Sequence, residues 1–211
     1  MSDVAGRRRV FLSAALADHA CHAHLGAVTW RAAELGADPW TTGLIFAAAD
    51  AVYVIASLRF GHLSDRIGRR GALRTAAAAI VGAGALSFFA ADVAVLAVGL
   101  VLNRTAAAIF WPTAQARLAD GSTRLGRDAG LFNLSWSCGK ALGYAANWAL
   151  LGPLGAGAAA PFLYASATAG VLGFAAPPDA RRAPASAPHA PAAPPPRARP
   201  RPSPARRSRA R

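Results

Sequence analysis

The stretch FGHLSDRIGRRGAL, residues 60–73, sets one aspartate among three arginines between two long apolar segments. Gly61 and Gly68 permit tight backbone turns in which bulkier residues would be strained. Asp65 is an anion among arginines, so we expect it to form charge-assisted hydrogen bonds. The dipole of a helix that begins nearby would also favour a negative charge there. The pattern therefore predicts a tightly turned, ion-paired loop.

The chain on both sides of this loop is strongly apolar. Its 211 residues are 54% hydrophobic and only 16% charged, whereas soluble domains carry about 25% charged residues. Six segments hold the roughly 20 mostly apolar residues that a spanning helix needs, at about 10–30, 41–60, 72–91, 94–116, 130–151 and 156–176. The sequence therefore predicts an all-α membrane protein with six transmembrane helices.

Basic residues alternate between the two sides of these helices. Arg31 is alone on one side, and eleven arginines lie on the other. The eleven precede helix 1 or surround the loops 2–3 and 4–5: Arg7, Arg8, Arg9, Arg59, Arg66, Arg69, Arg70, Arg74, Arg117, Arg124 and Arg127. Because basic loops stay in the cytoplasm, we predict a multi-pass protein of the cell (plasma or inner) membrane with both termini cytoplasmic.

The loop resembles the signature loop of the major facilitator superfamily, often called motif A, with the pattern G-x-L-(A/S)-D-R-x-G-R-(K/R)-x-x-L. The matching residues are Gly61, Leu63, Ser64, Asp65, Arg66, Gly68, Arg69, Arg70 and Leu73. The resemblance implies a latch between helical bundles that separate and rejoin during transport of a small solute. The alternative interpretation is a basic loop that only sets the topology.

The resemblance covers about residues 8–176, which is one half of a usual family member. It implies a cytoplasmic N-terminus (1–9), a six-helix half-domain of 3+3 inverted repeats (10–176) and a tail (177–211). Family transporters have two such halves, and a second half is missing here. We therefore expect a truncated, inactive fragment or a half that pairs as a homodimer or with a separate second half.

Two weaker resemblances lie in helices 4 and 5. Arg104 matches an arginine that the family often places in helix 4, without the glycine that follows it there. Gly139 and Gly143 fit a glycine motif of proton-coupled exporters, but Tyr144 replaces its proline and Asn147 follows without its glycine pair. The exporter subclass is therefore not predicted.

Four charged residues fall in the middle of predicted spans: Asp18, Asp50, Arg104 and Lys140. Such a residue costs about 2.5–3.5 kcal/mol at the bilayer centre, so it usually faces a cavity or a partner. The two aspartates are candidates for proton coupling. The two cations are candidates for an anionic substrate, with Arg104 preferred because its guanidinium fork suits carboxylates. The alternative is static ion pairs that fix helix packing.

The run DHACHAH, residues 18–24, could be a metal site or a polar helix face. At about 100° per residue, Asp18, Cys21 and His22 share one face, and His24 lies off that face. The set does not converge, so we expect no metal and no cofactor. The geometry instead predicts a polar face toward a cavity, with Asp18–His22 as a candidate protonation pair.

The tail, residues 177–211, carries a net +8 of the total +13 and consists mostly of Pro, Ala, Arg and Ser. This composition predicts a disordered cytoplasmic segment. It could bind anionic lipid or nucleic acid, be a solvated tail without a partner, or be an out-of-frame reading of GC-rich DNA. We expect a solute and the bilayer as partners, and no nucleic acid.

No catalytic motif is present. The chain has neither a Walker A loop nor a nucleophile elbow, so no enzymatic activity is expected. The rival to a transporter is a multi-pass membrane scaffold that does not transport.

Overall fold

A computed structural model of the protein describes residues 2–60, 62–154, 157 and 159–175. The described residues form seven helices and no strand: α1 (Ser2–Glu34), α2 (Pro39–Phe60), α3 (Leu63–Ile67), α4 (Arg69–Phe88), α5 (Val93–Gly121), α6 (Leu125–Leu151) and α7 (Ala160–Ala175). The predicted all-α class is therefore confirmed. The predictions for Gly61 and for the tail lie outside the described residues.

The six longer helices coincide with the six predicted spans. Three of them, Pro39–Phe60, Arg69–Phe88 and Val93–Asp120, are long and apolar enough to cross a membrane. In α1 and α6 the apolar run is interrupted by histidines, Asp18, Lys140 and other polar residues, and the described part of α7 has 16 residues. Spanning by α1, α6 and α7 therefore stays a prediction.

Three details differ from the sequence-based expectation. Helix α1 begins at Ser2, so the three arginines lie within it rather than before it, because Ala and Arg are good helix formers and no proline interrupts the segment. A short extra helix, α3, lies in the predicted loop. Helix α5 continues to Gly121, beyond the span end predicted near residue 116, and its Trp111 packs against α6, 5.2 Å from the Trp136 ring.

Helix α1 occupies the centre of the bundle. It packs against α5, α6 and α7, while α4 packs against α5 and α7, and α2 packs against α5. The larger buried cluster is rich in alanine. Small side chains let helix backbones approach closely, which is how helices associate where lipid supplies no hydrophobic driving force.

The contact between α1 and α6 depends on two glycines. A Cβ atom at Gly139 would lie 2.2 Å from the carbonyl oxygen of Ala15, and one at Gly143 would lie 2.6 Å from that of His19. One turn further, the Asn147 side chain donates Nδ2–H bonds to the carbonyls of His22 and Ala23, at 3.0 and 2.7 Å. Contacts at every fourth residue of α6, namely Gly139, Gly143 and Asn147, therefore fix the register of α6 against α1.

Aspartates cap the first turns of α2 and α5. The Thr41 backbone N–H donates to Asp38 at 2.6 Å, and the Val95 N–H donates to Asp92 at 2.9 Å. Each carboxylate satisfies a donor that the helix leaves unpaired. The bond from Thr41 holds the pKa of the Asp38 carboxyl below its ordinary value. Both helices therefore begin at defined residues at the same end of the bundle.

We predict that Gly139→Val lowers the thermal stability of the purified protein by about 1–3 kcal/mol, because the added atoms overlap the α1 backbone. The matched control is Gly130→Ala in the same helix, where a Cβ meets nothing within 4 Å. Thermal unfolding followed by circular dichroism in detergent measures both. Equal melting temperatures for the two variants would contradict the close α1–α6 contact.

Candidate functional site

Contacts across four helices bring together polar and aromatic side chains that we call the polar wall. Arg104 of α5 meets Asp50 of α2, and Trp111, two turns along α5, meets Trp136 of α6. On α1, His22 packs on Tyr144 of α6, with ring centroids 5.2 Å apart. The polar wall consists of Asp18, His22, Asp50, Arg104, Trp111, Trp136, Lys140 and Tyr144.

Asp50 and Arg104 form an ion pair between α2 and α5. Arg104 Nε lies 2.7 Å from Asp50 Oδ1, and the two side chains are 21% and 57% exposed, respectively. The structure thus brings together one of the predicted acid–base pairs. The pair leaves the guanidinium of Arg104 already engaged, and solvent screening limits its contribution to stability to about 1 kcal/mol.

Asp18 and His22 form the predicted contact one turn apart on α1. Asp18 is 2% exposed. Its Oδ1 lies 3.4 Å from Nδ1 of His22, and its Oδ2 has no hydrogen-bond partner among the described residues. His22 Nδ1 is also 2.9 Å from the Asp18 carbonyl oxygen. A carbonyl only accepts, so Nδ1 carries the proton and Nε2 is the atom that can exchange one.

The other two histidines of the run contact different helices. His19 Nε2 is 2.6 Å from the Tyr164 hydroxyl of α7. His24 is fully buried, and its Nε2 is 2.9 Å from Ser87 Oγ of α4. Within the described part of the chain, no three His, Cys, Asp or Glu side chains are placed to hold a metal ion. The run DHACHAH therefore does not converge on one point.

Lys140 lies beside aromatic rings rather than beside an acid. Its Nζ is 4.9 Å from the Trp136 ring centroid, within the range of a cation–π interaction. The Trp136 ring contacts Trp111, which in turn contacts Phe132 at 6.1 Å. No carboxylate of the described residues lies within ion-pair distance of Lys140. Sequence reasoning had expected it to face an acid or a substrate.

The loop between α2 and α4 is held by Arg69. Its Nη1 lies 2.7 Å from Asp65 Oδ1 and also donates to the Ser64 hydroxyl, while its Nε lies 3.3 Å from Asp120 at the end of α5. Gly68 has a φ of +81° between α3 and α4, a conformation that glycine adopts without strain. The predicted pairing of Asp65 is confirmed.

The remaining arginines of motif A occupy the ends of the two helices that flank Gly68. Arg66 is exposed in the last turn of α3, and Arg70 lies in the first turn of α4. Asp120, which holds the loop through Arg69, lies more than four turns along α5 from the wall residue Arg104. The loop and the wall are therefore two separate parts of the candidate site.

Two acidic partners were missed by sequence reasoning. Asp120 pairs with Arg69, and Asp128, buried in the first turn of α6, lies 3.3 Å from Arg7 and accepts a bond from Ser122 Oγ at 2.8 Å. An acid in the first turn of a helix is a recognisable signal, but its partner is far away in sequence. These pairs bring the N-terminal arginines and the two basic loops to one end of the bundle.

Comparison with known proteins places this architecture in a family. The sequence model described as Major Facilitator Superfamily matches residues 10–209, which include both the loop and the polar wall. No curated protein matches the chain significantly. The assignment therefore rests on the pattern along nearly the whole chain rather than on a single relative.

We predict that Asp50 and Arg104 couple by about 1 kcal/mol in a double-mutant cycle. Asp50→Asn leaves the guanidinium unpaired, so it should lower the melting temperature more in the wild-type background than in the Arg104→Gln background. Thermal unfolding of the four proteins in detergent gives the coupling. Additive effects of the two substitutions would show that the ion pair does not stabilise the wall.

Proposed function

Since the chain belongs to the Major Facilitator Superfamily, whose members transport solutes across membranes, we propose that it moves a small solute by proton-coupled alternating access along the polar wall. The observation that carries the proposal is the buried Asp18 carboxylate beside His22. A carboxylate at this depth is costly unless it is paired or protonated. A buried carboxylate that exchanges a proton with a neighbouring histidine is suited to couple proton movement to solute movement.

The geometry supports a two-atom proton relay. A proton from the cavity binds Nε2 of His22, which turns the ring into an imidazolium. The ring then turns its Nδ1–H from the Asp18 carbonyl oxygen to Asp18 Oδ1, 3.4 Å away, and gives that proton to the carboxylate. The relay leaves a neutral carboxylic acid and a neutral histidine, so the wall loses one negative charge. Deprotonation on the other side of the membrane follows the reverse route.

The motif A loop serves, in this proposal, as the latch of the conformational change. Arg69 ties the loop to the end of α5 through Asp120, and Asp65 keeps 63% of its side chain exposed while it pairs with the same arginine. An exposed, paired carboxylate can exchange partners at small cost. Arg66, Arg70 and the flanking glycines Gly61 and Gly68 would shape and charge this latch. It lies at the end of the bundle that we assign to the cytoplasm.

A second six-helix unit would complete the solute path. In α2 only Ala49 and Ala56 are buried, and the wall residue Asp50 is largely exposed. An exposed ion pair at membrane depth needs water or protein against it. We infer that a second unit, from a copy of this chain or from a separate source, covers the wall in the transporting assembly.

We predict that Asp18 gives a carboxylic-acid C=O band in infrared difference spectra when the reconstituted protein is taken from high to low pH. Asp18→Asn removes this band, and Asp92→Asn, which changes an exposed helix cap, keeps it. His22→Gln slows the appearance of the band because the relay atom is lost. The measurement needs no knowledge of the solute.

The proposal fails if the band persists in Asp18→Asn, because another acid would then take up the proton. It also fails if wild-type protein shows no protonation change in the lipid-reconstituted state. Circular dichroism of each variant establishes that the helices are intact, so that a lost band reports chemistry rather than unfolding.

A further inference from the structure

We propose that the solute is an organic monoanion with a flat apolar body, bound by Lys140 against an aromatic strip. The strip consists of Trp111, Trp136 and Tyr144. This inference rests on the proposed transport function and adds the substrate class to it. Three observations carry it: the charge balance of the wall, the arrangement of the rings, and the engagement of the other charged groups.

Among the charged residues of the polar wall, Lys140 is the cation without an acidic partner among the described residues. It lies in the middle of α6, and its ammonium group lies over the ring of Trp136. The other cations with acidic partners are Arg7, Arg31, Arg69 and Arg104. An ammonium at bilayer depth is costly, and one ring face offsets only part of that cost. An anionic solute would supply the missing counter-charge.

The aromatic rings of the strip lie on the same side of α6 as Lys140 and on the neighbouring α5. Trp136, Lys140 and Tyr144 are spaced by four residues, which places them along one side of α6. Trp111 extends the strip onto α5, with ring centroids 5.2 Å apart at an interplanar angle of 77°. A flat apolar group gains from contact with such rings. A carboxylate attached to it can then reach Nζ of Lys140.

The remaining charged groups of the wall argue against other solute classes. Arg104 already pairs with Asp50 at 2.7 Å, so a second anionic group would have to compete with that carboxylate. A cationic solute would need an acid, but Asp50 is paired and Asp18 is buried. One available ammonium with apolar surroundings therefore fits one carboxylate rather than a phosphate-rich or zwitterionic solute.

The test compares 3-phenylpropionate with 3-phenylpropan-1-amine, which share the ring and the chain length and differ in the sign of charge. Each is titrated against the purified full chain in lipid nanodiscs, and saturable binding is read from tryptophan fluorescence. We expect the anion to bind and the amine to bind at least about tenfold more weakly. Lys140→Gln should weaken anion binding by about tenfold, and Lys140→Arg should restore most of it.

The matched control is Arg127→Gln, which removes one positive charge from an exposed position of the same helix. It should leave anion affinity unchanged. Equal affinity of wild type and Lys140→Gln, equal binding of amine and anion, or no saturable anion binding by folded wild type would each overturn the inference. If Lys140→Gln does not fold, the anion–amine comparison in wild type decides alone.

The experiments distinguish failure of the proposed substrate class from failure of the proposed proton coupling. The Asp18 infrared band is recorded without solute, so its presence supports proton coupling whatever Lys140 binds. Loss of anion selectivity with an intact band would reject only the substrate class. Loss of the band with anion selectivity intact would reject only the proton site.

Discussion

The close approach of α1 and α6 is the constraint on which the site depends. Gly139 and Gly143 leave no room for a Cβ against the α1 backbone, and Asn147 bonds two α1 carbonyls one turn further. This contact places the Tyr144 ring against the His22 ring. It also places Lys140, one turn before Tyr144, on the side of α6 that belongs to the polar wall. A shift of one residue along α6 would rotate its side chains by about 100° and turn that surface away.

Two kinds of interaction divide the bundle along its length. In the middle, small residues pack backbones together, since lipid offers no hydrophobic gain for association. At the end that holds the basic loops, Arg7 with Asp128 and Arg69 with Asp65 and Asp120 connect the segments by charge. The Arg69 pairs involve exposed carboxylates and are weak individually, so the loop at this end can rearrange while the middle stays packed. That contrast is suited to a transporter that opens at one side at a time.

Much of the architecture follows from local sequence patterns. The lengths of the apolar segments located the six long helices. The turn of about 100° per helical residue predicted that Asp18 and His22 lie on one face and that His24 does not. The motif in residues 60–73 predicted the pairing of Asp65 and the turn at Gly68. The glycines of α6, first noted as a partial exporter motif, proved to be the point where α1 and α6 touch.

The rest depended on contacts between distant residues. Sequence reasoning chose Arg104 as the substrate residue, and only the fold shows it engaged by Asp50, while Lys140 rests on Trp136. Asp120 and Asp128 were missed because their arginines lie 51 and 121 residues away. Charge type gives the candidates, but tertiary packing decides which acid each base meets.

The central claim is that the side of α6 carrying Lys140 faces water and the opposite side does not. Thiol accessibility in lipid membranes measures this directly, since native Cys138 is exposed and its position two residues before Lys140 places it about 160° away around α6. Ser137→Cys in a Cys138→Ala background should react quickly with a charged, membrane-impermeant thiol reagent, and native Cys138 should react slowly. Equal rates, or faster reaction of Cys138, would contradict the account.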